Sequence, residues 1–471
     1  MADPNFRKQL HLMADRMADY LENVEQHPVQ PSVEPGEIKN QLPERPPVKP
    51  EPLEQIMEDF DRFILPGITH WQHPRFFGYF PANVSEPSVL AEMLTSAIGA
   101  QCMSWLTSPA AAELEERMME WLISLLNLPQ NWQGSIQSTA SEATLVSLLT
   151  AREAACDWRI NTEGFQGDEQ FVVYASEHVH SSIDKAVRIA GFGDRNLRRI
   201  PVDEQFAMIP EELEKAVDQD LRQGRRPLAV VSVLGTTATT AIDPIPEISR
   251  IAKSHNLWHH VDAAYAGTAL ILPEYQKWCE GLDEVDSFVF NPHKWMGVQF
   301  DCSAYYVRDA DALKRTFSIN PAYLQTRADE QVNNYRDWGI PLGRRFRALK
   351  LWFVLRMYGA DQIRRRIRRH IDIGQKLAGW IEADDRFELM APVPLNLVCF
   401  RYHPPEIDDK VRLNELNQTL MQRLNDSGKM FLTHAELNGQ FVIRWVTGQT
   451  HVTKQDVAES WEVVLSQLRQ L

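Results

Sequence analysis

The chain has 471 residues, a length that suggests about three domains rather than one. Its 44% hydrophobic and 24% charged residues are typical of an ordinary soluble globular protein. The net charge of −15 argues against a nucleic-acid or anionic-membrane partner, and no apolar run reaches membrane-spanning length.

The N-terminal region predicts two helices joined by an extended arm. Asp3 can cap a helix with Pro4 at its first position, and the apolar residues that follow have helical spacing. Residues 26–52 contain eight prolines, which predicts a segment without regular helix or central strand. A second helix is predicted over about 53–65. These pieces cannot bury their apolar stripes alone, so we expect residues 1–85 to pack on another surface, such as a partner subunit.

The middle of the chain alternates between helical patterns and buried strands. Helices are predicted over 110–128, 141–158, 181–190 and 245–255, and strands over 171–174, 228–234, 257–262, 287–291 and 304–307. This order indicates a mostly parallel α/β sheet covered by helices, whose ligands bind at the carboxyl ends of the strands. We assign residues 86–345 to this large domain. It contains no G-x-G-x-x-G or P-loop motif, so a nucleotide is not the expected ligand.

The C-terminal region changes to long helices from about residue 346 to 381. Strands near 387–390, 398–402, 431–433 and 441–445 and helices over 409–425 and 454–471 follow. We therefore predict a small α+β domain over 346–471. The arginines at 364, 365, 366, 368 and 369 could bind an anion, but a solvated or salt-bridged helix face is favoured.

Two strand ends carry the residues with the clearest chemistry. One strand ends in His260-Val261-Asp262-Ala263-Ala264, and another is followed by Asn291-Pro292-His293-Lys294-Trp295. Pyridoxal phosphate requires this pair: a lysine amine bonds to its aldehyde, and an aspartate pairs with its protonated pyridine nitrogen. The small alanines let the ring lie close to the backbone. The pair predicts pyridoxal phosphate as the cofactor, and no metal.

These motifs, with several others in the same order, carry a resemblance that covers nearly the whole chain. The other motifs are Thr69–Trp71, Phe77–Pro81, Ser104-Trp105, Ser141–Leu145, Asp301–Ala304 and Ile340–Arg347. The chain resembles the group II pyridoxal-phosphate-dependent decarboxylases, and most closely the aromatic-L-amino-acid decarboxylases. The resemblance implies pyridoxal-phosphate-dependent fold type I, like aspartate aminotransferase. It also implies a homodimer in which the N-terminal arm crosses over the partner.

The cofactor's phosphate has a candidate site at the start of the helix that follows Ser138-Thr139. A helix N-terminus offers free N–H groups to an anion, although a simple N-cap is the better explanation of this cluster when it is taken alone. The resemblance assigns phosphate contacts to Thr139, Ala140, Ser141, Asn291 and His293. Many relatives have Gly-Ser where this chain has Ser138-Thr139, but a threonine hydroxyl can still donate.

The resemblance assigns further cofactor contacts around the ring. It implies that His180 stacks on the ring near the substrate carboxylate and that Ala264 packs on the opposite face. Thr237 lies near the 3′-oxygen, and Asp243 supports the Thr237 turn. Loop or capping roles remain the alternatives for His180.

Tyr323 precedes a polar stretch, residues 325–334, that reads as a mobile lid. Relatives with tyrosine at this place return a proton to the substrate carbon after CO₂ leaves, whereas relatives with phenylalanine tend to form aldehydes. Tyr323 therefore favours decarboxylation.

Substrate selection rests on an aromatic cluster and three further residues. Trp71, Tyr79, Phe80 and Pro81, with Trp105, are consistent with an aromatic substrate, although core packing explains them almost as well. Gln101 and Met103 differ from the residues of animal relatives, which puts a catechol preference in doubt. Gly343 leaves room for a large ring.

The predicted function is decarboxylation of L-aromatic amino acids, of the tryptophan, phenylalanine, tyrosine or DOPA type, to amines and CO₂. An aromatic aldehyde synthase on the same scaffold is the nearest alternative, followed by decarboxylation of an acidic or imidazole amino acid. A non-catalytic binding protein is a third possibility, against which the presence of Lys294 and Asp262 argues. Five scattered cysteines and a start without a signal peptide's apolar core predict free thiols and a cytoplasmic location.

Overall fold

The computed structural model describes residues 5–167, 169–319 and 331–469. The chain divides into two compact units. The first unit comprises residues 1–81, 373–390 and 398–471, and the second comprises residues 82–372 and 391–397. The three-part division at residues 85 and 345 stays a prediction.

The helices begin with three in the N-terminal region. These are α1 (Phe6–Glu22), α2 (Glu37–Gln41) and α3 (Leu53–Asp59). The helices that follow are α4 (Glu86–Ile98), α5 (Pro109–Leu126), α6 (Ala140–Ala155), α7 (Arg159–Glu163), α8 (Ser182–Ile189), α9 (Pro210–Arg222), α10 (Ile245–Ser254), α11 (Ala310–Phe317), α12 (Arg347–Glu382), α13 (Lys410–Asp426) and α14 (Lys454–Leu468). Helix α12 is broken at Gly359, whose φ of 65° and ψ of 164° are not helical.

The strands form two sheets. Those of the second unit are β1 (Gln133–Gln137), β2 (Phe171–Ser176), β3 (Leu197–Ile200), β4 (Arg226–Val233), β5 (Trp258–Asp262), β6 (Ser287–Phe290) and β7 (Ser303–Val307). The others are β8 (Phe387–Leu389), β9 (Leu397–Tyr402), β10 (Thr433–Leu437) and β11 (Gln440–Val446).

Among the described residues, the second unit contains a seven-stranded sheet in the order β1-β7-β6-β5-β4-β2-β3. Strand β7 runs antiparallel to both of its neighbours, and the pairs from β6 to β3 are parallel. Every residue of β2, β6 and β7 is buried, as expected when helices cover both faces. The predicted mostly parallel α/β sheet is confirmed.

The parallel register fixes the level of the sheet at which the catalytic candidates lie. Asp262, the last residue of β5, pairs with Val233 near the end of β4 and with Val289 near the end of β6. The carboxyl ends of these three strands therefore meet at one edge.

The first unit contains a four-stranded sheet in the order β10-β11-β9-β8. Phe77 packs its ring 4.8 Å from that of Trp445 on β11, and both side chains are fully buried. This sheet and its helices confirm the predicted α+β character of the C-terminal region. No helix in the described ranges is both long and apolar enough to cross a membrane.

Several predicted boundaries and elements are wrong. The proline-rich segment does contain a helix, α2, which fits into a stretch between Pro35 and Pro43 that has no proline. The helix predicted over 53–65 ends at Asp59 and continues as a π-helical turn, Phe60–Ile64. The strand predicted over 431–433 begins only at Thr433. The proposed cap at Asp3 and Pro4 lies outside the described residues.

Candidate active site

Asp262 is the last residue of β5, and its carboxylate oxygens can accept further hydrogen bonds. The residue is 6% exposed, and its Oδ1 accepts a hydrogen bond from the backbone N–H of Ala264 at 3.0 Å. Among the described residues, no side chain donates a hydrogen bond to this carboxylate. A buried carboxylate in this state is suited to a cationic N–H donor, as a pyridinium nitrogen would be.

Lys294 lies in the turn that follows β6, next to the turn that follows β5. The N–H of Asn291 donates to the carbonyl of Ala264 at 3.0 Å, and the N–H of Lys294 donates to the carbonyl of Asn291 at 2.9 Å. Burial lowers the pKa of the Lys294 amine, against the opposing effect of Asp262. A lowered pKa raises the fraction of neutral amine, which is the nucleophilic form.

The turn after Lys294 is held by side chains from α12 and from the residues just before α4. Asn83 donates from Nδ2 to the Lys294 carbonyl at 2.8 Å, and Ser85 donates from Oγ to the Gly297 carbonyl at 2.6 Å. Arg366 donates from Nη2 to the Met296 carbonyl at 2.6 Å.

His180 lies between β2 and α8 and interacts electrostatically with both Asp262 and Lys294. Its Nδ1 accepts a hydrogen bond from the backbone N–H of Ser182 at 3.1 Å and lies 2.9 Å from the Ser182 hydroxyl. Because Nδ1 is an acceptor, the neutral ring carries its proton on Nε2. Partial burial lowers the pKa of His180, and Lys294 adds to this effect while Asp262 opposes it. The structure thus brings His180, Asp262 and Lys294 into one electrostatic environment.

Helix α6 begins at the same edge of the sheet with a side-chain cap. The Thr139 hydroxyl accepts from the N–H of Glu142 at 3.2 Å, and the Glu142 carboxylate accepts from the N–H of Ser138 at 2.9 Å and from the Ser138 hydroxyl. The first N–H groups, those of Ala140 and Ser141, have no partner within a helix. This end of α6 is therefore suited to an anion.

Asn291 and His293 are both oriented as hydrogen-bond donors. The Asn291 Oδ1 accepts from the Ser303 hydroxyl at 2.7 Å, which leaves its amide N–H groups to donate elsewhere. The His293 Nδ1 accepts from the N–H of Cys302 at 2.9 Å, so its proton lies on Nε2. Burial, with Lys294 adding to it, lowers the pKa of His293 to about 3 and keeps the ring neutral.

Thr237 and Asp243 belong to the loop that follows β4. The loop is closed by bonds from the N–H groups of Gly235 and Thr236 to the Ala241 carbonyl, at 3.0 and 2.9 Å. Gly235 has a φ of 92°, and a Cβ there would lie 2.5 Å from that of Ala266, so glycine is required. Asp243 is buried and accepts from the N–H groups of Val233 and Met208 at 2.7 and 2.8 Å, and burial raises its pKa to about 6.

The predicted substrate residues fall in both units. In the second unit, Gln101 Oε1 accepts a hydrogen bond from the N–H of Arg344 at 2.8 Å, and a Cβ on Gly343 would lie 3.2 Å from Gln101 Nε2. The Met103 carbonyl accepts a hydrogen bond from the N–H of Arg336. Gln101 and Gly343 are therefore neighbours.

In the first unit, the rings of Trp71 and Tyr79 stack with centroids 5.6 Å apart. Tyr79 is 52% exposed at a φ of 53°, whereas Phe80 and Pro81 are buried. The roles of these residues in substrate binding stay predictions. Tyr323 lies outside the described residues.

The sequence alone did not indicate Asn83 or Arg366. Arg366 belongs to the arginine cluster that was interpreted as a solvated or salt-bridged face. Arg368 fits that interpretation through its ion pair with Glu274 at 2.6 Å. Arg366 does not, because it bonds a backbone carbonyl and burial lowers its pKa. Arg366 lies three residues after Ile363 and four before His370, so the three side chains share one face of α12. Since Ile363 and His370 are buried, this spacing could have indicated that Arg366 is buried as well.

Comparisons with known proteins agree with this geometry. Residues 35–403 match the pyridoxal-dependent decarboxylase conserved domain. The chain belongs to the pyridoxal-dependent decarboxylase family. Its cofactor is pyridoxal phosphate, and the donors and acceptors described above fit the phosphate, the pyridine nitrogen and the aldehyde of that group.

This decarboxylase is similar along its whole length to plant enzymes of two activities. It is 42% identical over 464 residues to tryptophan decarboxylase 2 of Oryza sativa subsp. japonica, covering 96% of this chain and 92% of the relative. It is 41% identical over 474 residues to phenylacetaldehyde synthase of Arabidopsis thaliana, covering 98% and 96%. The crystal structure of Oryza sativa TDC with PLP and tryptamine superposes with a TM-score of 0.96 at 35% identity, covering 99% of both chains. The predicted fold type I is confirmed.

Proposed function

We propose that this enzyme decarboxylates L-aromatic amino acids to the corresponding amines and CO₂. The observation that carries the proposal is the position of Asp262 and Lys294 at the carboxyl ends of the adjacent parallel strands β5 and β6, with His180 after β2 in the same sheet. The similarity to tryptophan decarboxylase 2 supports the aromatic class of substrate. Gly343, which carries no side chain and neighbours Gln101, is proposed to admit a ring as large as indole.

When bound, pyridoxal phosphate supplies a protonated pyridine ring that takes up the electron pair left as the α-carbon–carboxylate bond breaks. Lys294 would hold the cofactor through its amine and would yield that place to the amine of the substrate. Because burial favours its neutral form, the Lys294 amine would be ready to hold the cofactor again after the product leaves. Asp262 keeps the proton on the pyridine nitrogen, since its buried charge is stabilised by that proton.

The remaining residues bind the cofactor's phosphate and orient the substrate. The N-terminus of α6, with Asn291 and His293, binds the phosphate through donors whose orientation is fixed by Ser303 and Cys302. His180 offers Nε2–H toward the substrate carboxylate and excludes water from one side of the ring. Tyr323 is proposed, from the resemblance, to return a proton to the α-carbon.

The second candidate is an aromatic aldehyde synthase. The similarity to phenylacetaldehyde synthase favours it, at almost the same identity as for the decarboxylase. That reaction consumes O₂ and water and yields the aldehyde, CO₂, ammonia and hydrogen peroxide. Tyr323 favours the amine-forming reaction.

A product assay under air separates the candidates. Purified holoenzyme is supplied in turn with L-tryptophan, L-phenylalanine, L-tyrosine and L-DOPA, and CO₂, amine, aldehyde, ammonia and peroxide are measured. We expect amine and CO₂ in equal amounts without peroxide. Aldehyde with peroxide would establish the synthase instead, and cofactor-loaded protein that releases no CO₂ would refute both. The Lys294→Ala variant is the matched control and should lose multiple turnover.

We also propose that the enzyme is a cytoplasmic homodimer. In the first unit, α1 exposes Phe6 (56%) and Leu10 (45%). In the second unit, α4 exposes Leu90, Leu94 and Ile98, which follow one another at intervals of four residues along one helix face. Apolar rows of this kind are typical of interfaces. Light scattering of the purified protein tests the dimer, and a monomeric mass would overturn it.

A further inference from the structure

Strand β5 buries two adjacent histidines that point to opposite faces of the sheet. His259 is 1% exposed and His260 is fully buried. Side chains alternate along a strand, so His260 shares a face with Asp262 two residues later, and His259 does not. Their partners agree with this: His260 contacts Thr144 of α6, whereas His259 contacts Ser232 of β4 and Ser249 of α10.

Both ring nitrogens of His260 are engaged by hydroxyl groups. Nε2 lies 3.3 Å from the Thr144 Oγ1, and Nδ1 lies 2.9 Å from the Ser287 Oγ. The run continues from Ser287 to the Ser147 Oγ at 2.7 Å, and the Trp258 indole donates to Ser147 at 2.9 Å. An indole can only donate, so the run is satisfied when Ser147 donates to Ser287 and Ser287 donates to His260 Nδ1.

This arrangement makes His260 a neutral neighbour of Asp262. Burial lowers the pKa of His260 to about 4, although Asp262 opposes the effect. With both nitrogens engaged by Thr144 and Ser287, the ring donates no hydrogen bond to Asp262, and both side chains are buried. The roles assigned to Asp262, Lys294 and His180 do not account for this buried hydrogen-bond network. His260 lies on β5 two residues before Asp262, deeper in the sheet.

We propose that His260 is a positioning residue that reserves the Asp262 carboxylate for the cofactor's pyridine nitrogen. The imidazole, clamped between α6 and β6, excludes water from the inner side of Asp262 and places no competing charge beside it. An unsolvated carboxylate binds a cationic N–H more strongly than a hydrated one does. The proposal rests on the proposed function for the position of the cofactor ring, but not for the identity of the substrate.

The test measures cofactor binding without substrate. The apo forms of wild type, His260→Ala, His260→Gln and His259→Ala are titrated with pyridoxal phosphate, and binding is followed by absorbance. We expect the dissociation constant to rise at least tenfold in His260→Ala, because water then reaches Asp262. His260→Gln should recover most of the affinity, because an amide can bond both hydroxyls and carries no charge.

His259→Ala is the matched control, since it removes an equally buried imidazole with two hydroxyl partners from the other face. Both alanine variants should lower the melting temperature of the apo form by similar amounts, and only His260→Ala should lose affinity. Equal dissociation constants for the two alanine variants would overturn the proposal.

A second variant covers the case in which His260→Ala does not fold. Thr144→Val removes the hydroxyl next to Nε2 and keeps the side-chain volume, and it should raise the dissociation constant several-fold. An unchanged constant would overturn the proposal. The product assay described above is independent of these titrations, so a failure of the proposed reaction is distinguishable from a failure of the positioning role.

Discussion

Buried neutral histidines should make this enzyme sensitive to acid, and His259 allows the effect to be measured away from the active site. His259 is 1% exposed, and burial lowers its pKa to about 3. In the unfolded chain the pKa returns to the ordinary value of 6.5. The unfolded state therefore binds a proton that the folded state does not bind, at every pH between these two values.

The sign and size of the effect on the free energy of unfolding follow from this difference in pKa. The contribution of His259 to stability is complete above pH 6.5 and is lost progressively as the pH falls toward 3. At pH 5, which is about 1.5 pH units below the ordinary pKa, the loss is about 2 kcal/mol, since each unit corresponds to about 1.4 kcal/mol.

The assay compares wild type with His259→Gln, whose amide can bond Ser232 and Ser249 but does not titrate. Urea unfolding of the apo forms is followed by circular dichroism at pH 7.5 and pH 5, at one protein concentration. The loss of unfolding free energy between the two pH values should be about 2 kcal/mol smaller in the variant. His11→Gln, on an exposed position of α1, is the control and should behave as wild type. Equal losses in wild type and His259→Gln would refute the reasoning.

Four further predictions concern the active site and the N-terminal arm. Lys294→Ala should abolish multiple turnover while retaining bound cofactor, and Asp262→Ala should lose both cofactor affinity and catalytic rate. Steady-state assays measure the rates, and absorbance titration measures the affinities. Near-normal activity in either variant would contradict the role assigned to that residue. Tyr323→Phe keeps the ring but removes the hydroxyl, so product analysis under air should show a shift from amine toward aldehyde, ammonia and peroxide; amine as the sole product would remove Tyr323 from the catalytic residues. Deletion of residues 1–65 should give aggregated or cofactor-poor protein, and a soluble, active monomer in gel filtration would disprove the need for the arm.

The sequence predicted best where local pattern and tertiary environment agree. The β-branched runs that became β2 and β4 are buried on both faces, so their composition alone identified them. Asp262 at the end of β5 and Lys294 in the turn after β6 were also identified, since a charged residue at the end of an apolar strand stands out in the sequence.

The sequence failed where long-range contacts decide the structure. Strand β1 reads Gln-Gly-Ser-Ile-Gln, which has little strand propensity, and it forms because β7 pairs with it and Glu115 accepts from the N–H of Ile136. Asn83 acts on Lys294 across 211 positions of the chain, a relation that no local pattern contains.

The bonds from Asn83, Ser85 and Arg366 have a consequence for the entropy of cofactor binding. Three carbonyls of the turn from Lys294 to Gly297 are already hydrogen-bonded within the protein. Ordering a backbone residue costs roughly 1–2 kcal/mol, and here that cost falls on folding rather than on cofactor capture. The main chain that carries Lys294 is therefore ordered before the cofactor arrives, and the freedom that remains to be lost is that of the lysine side chain.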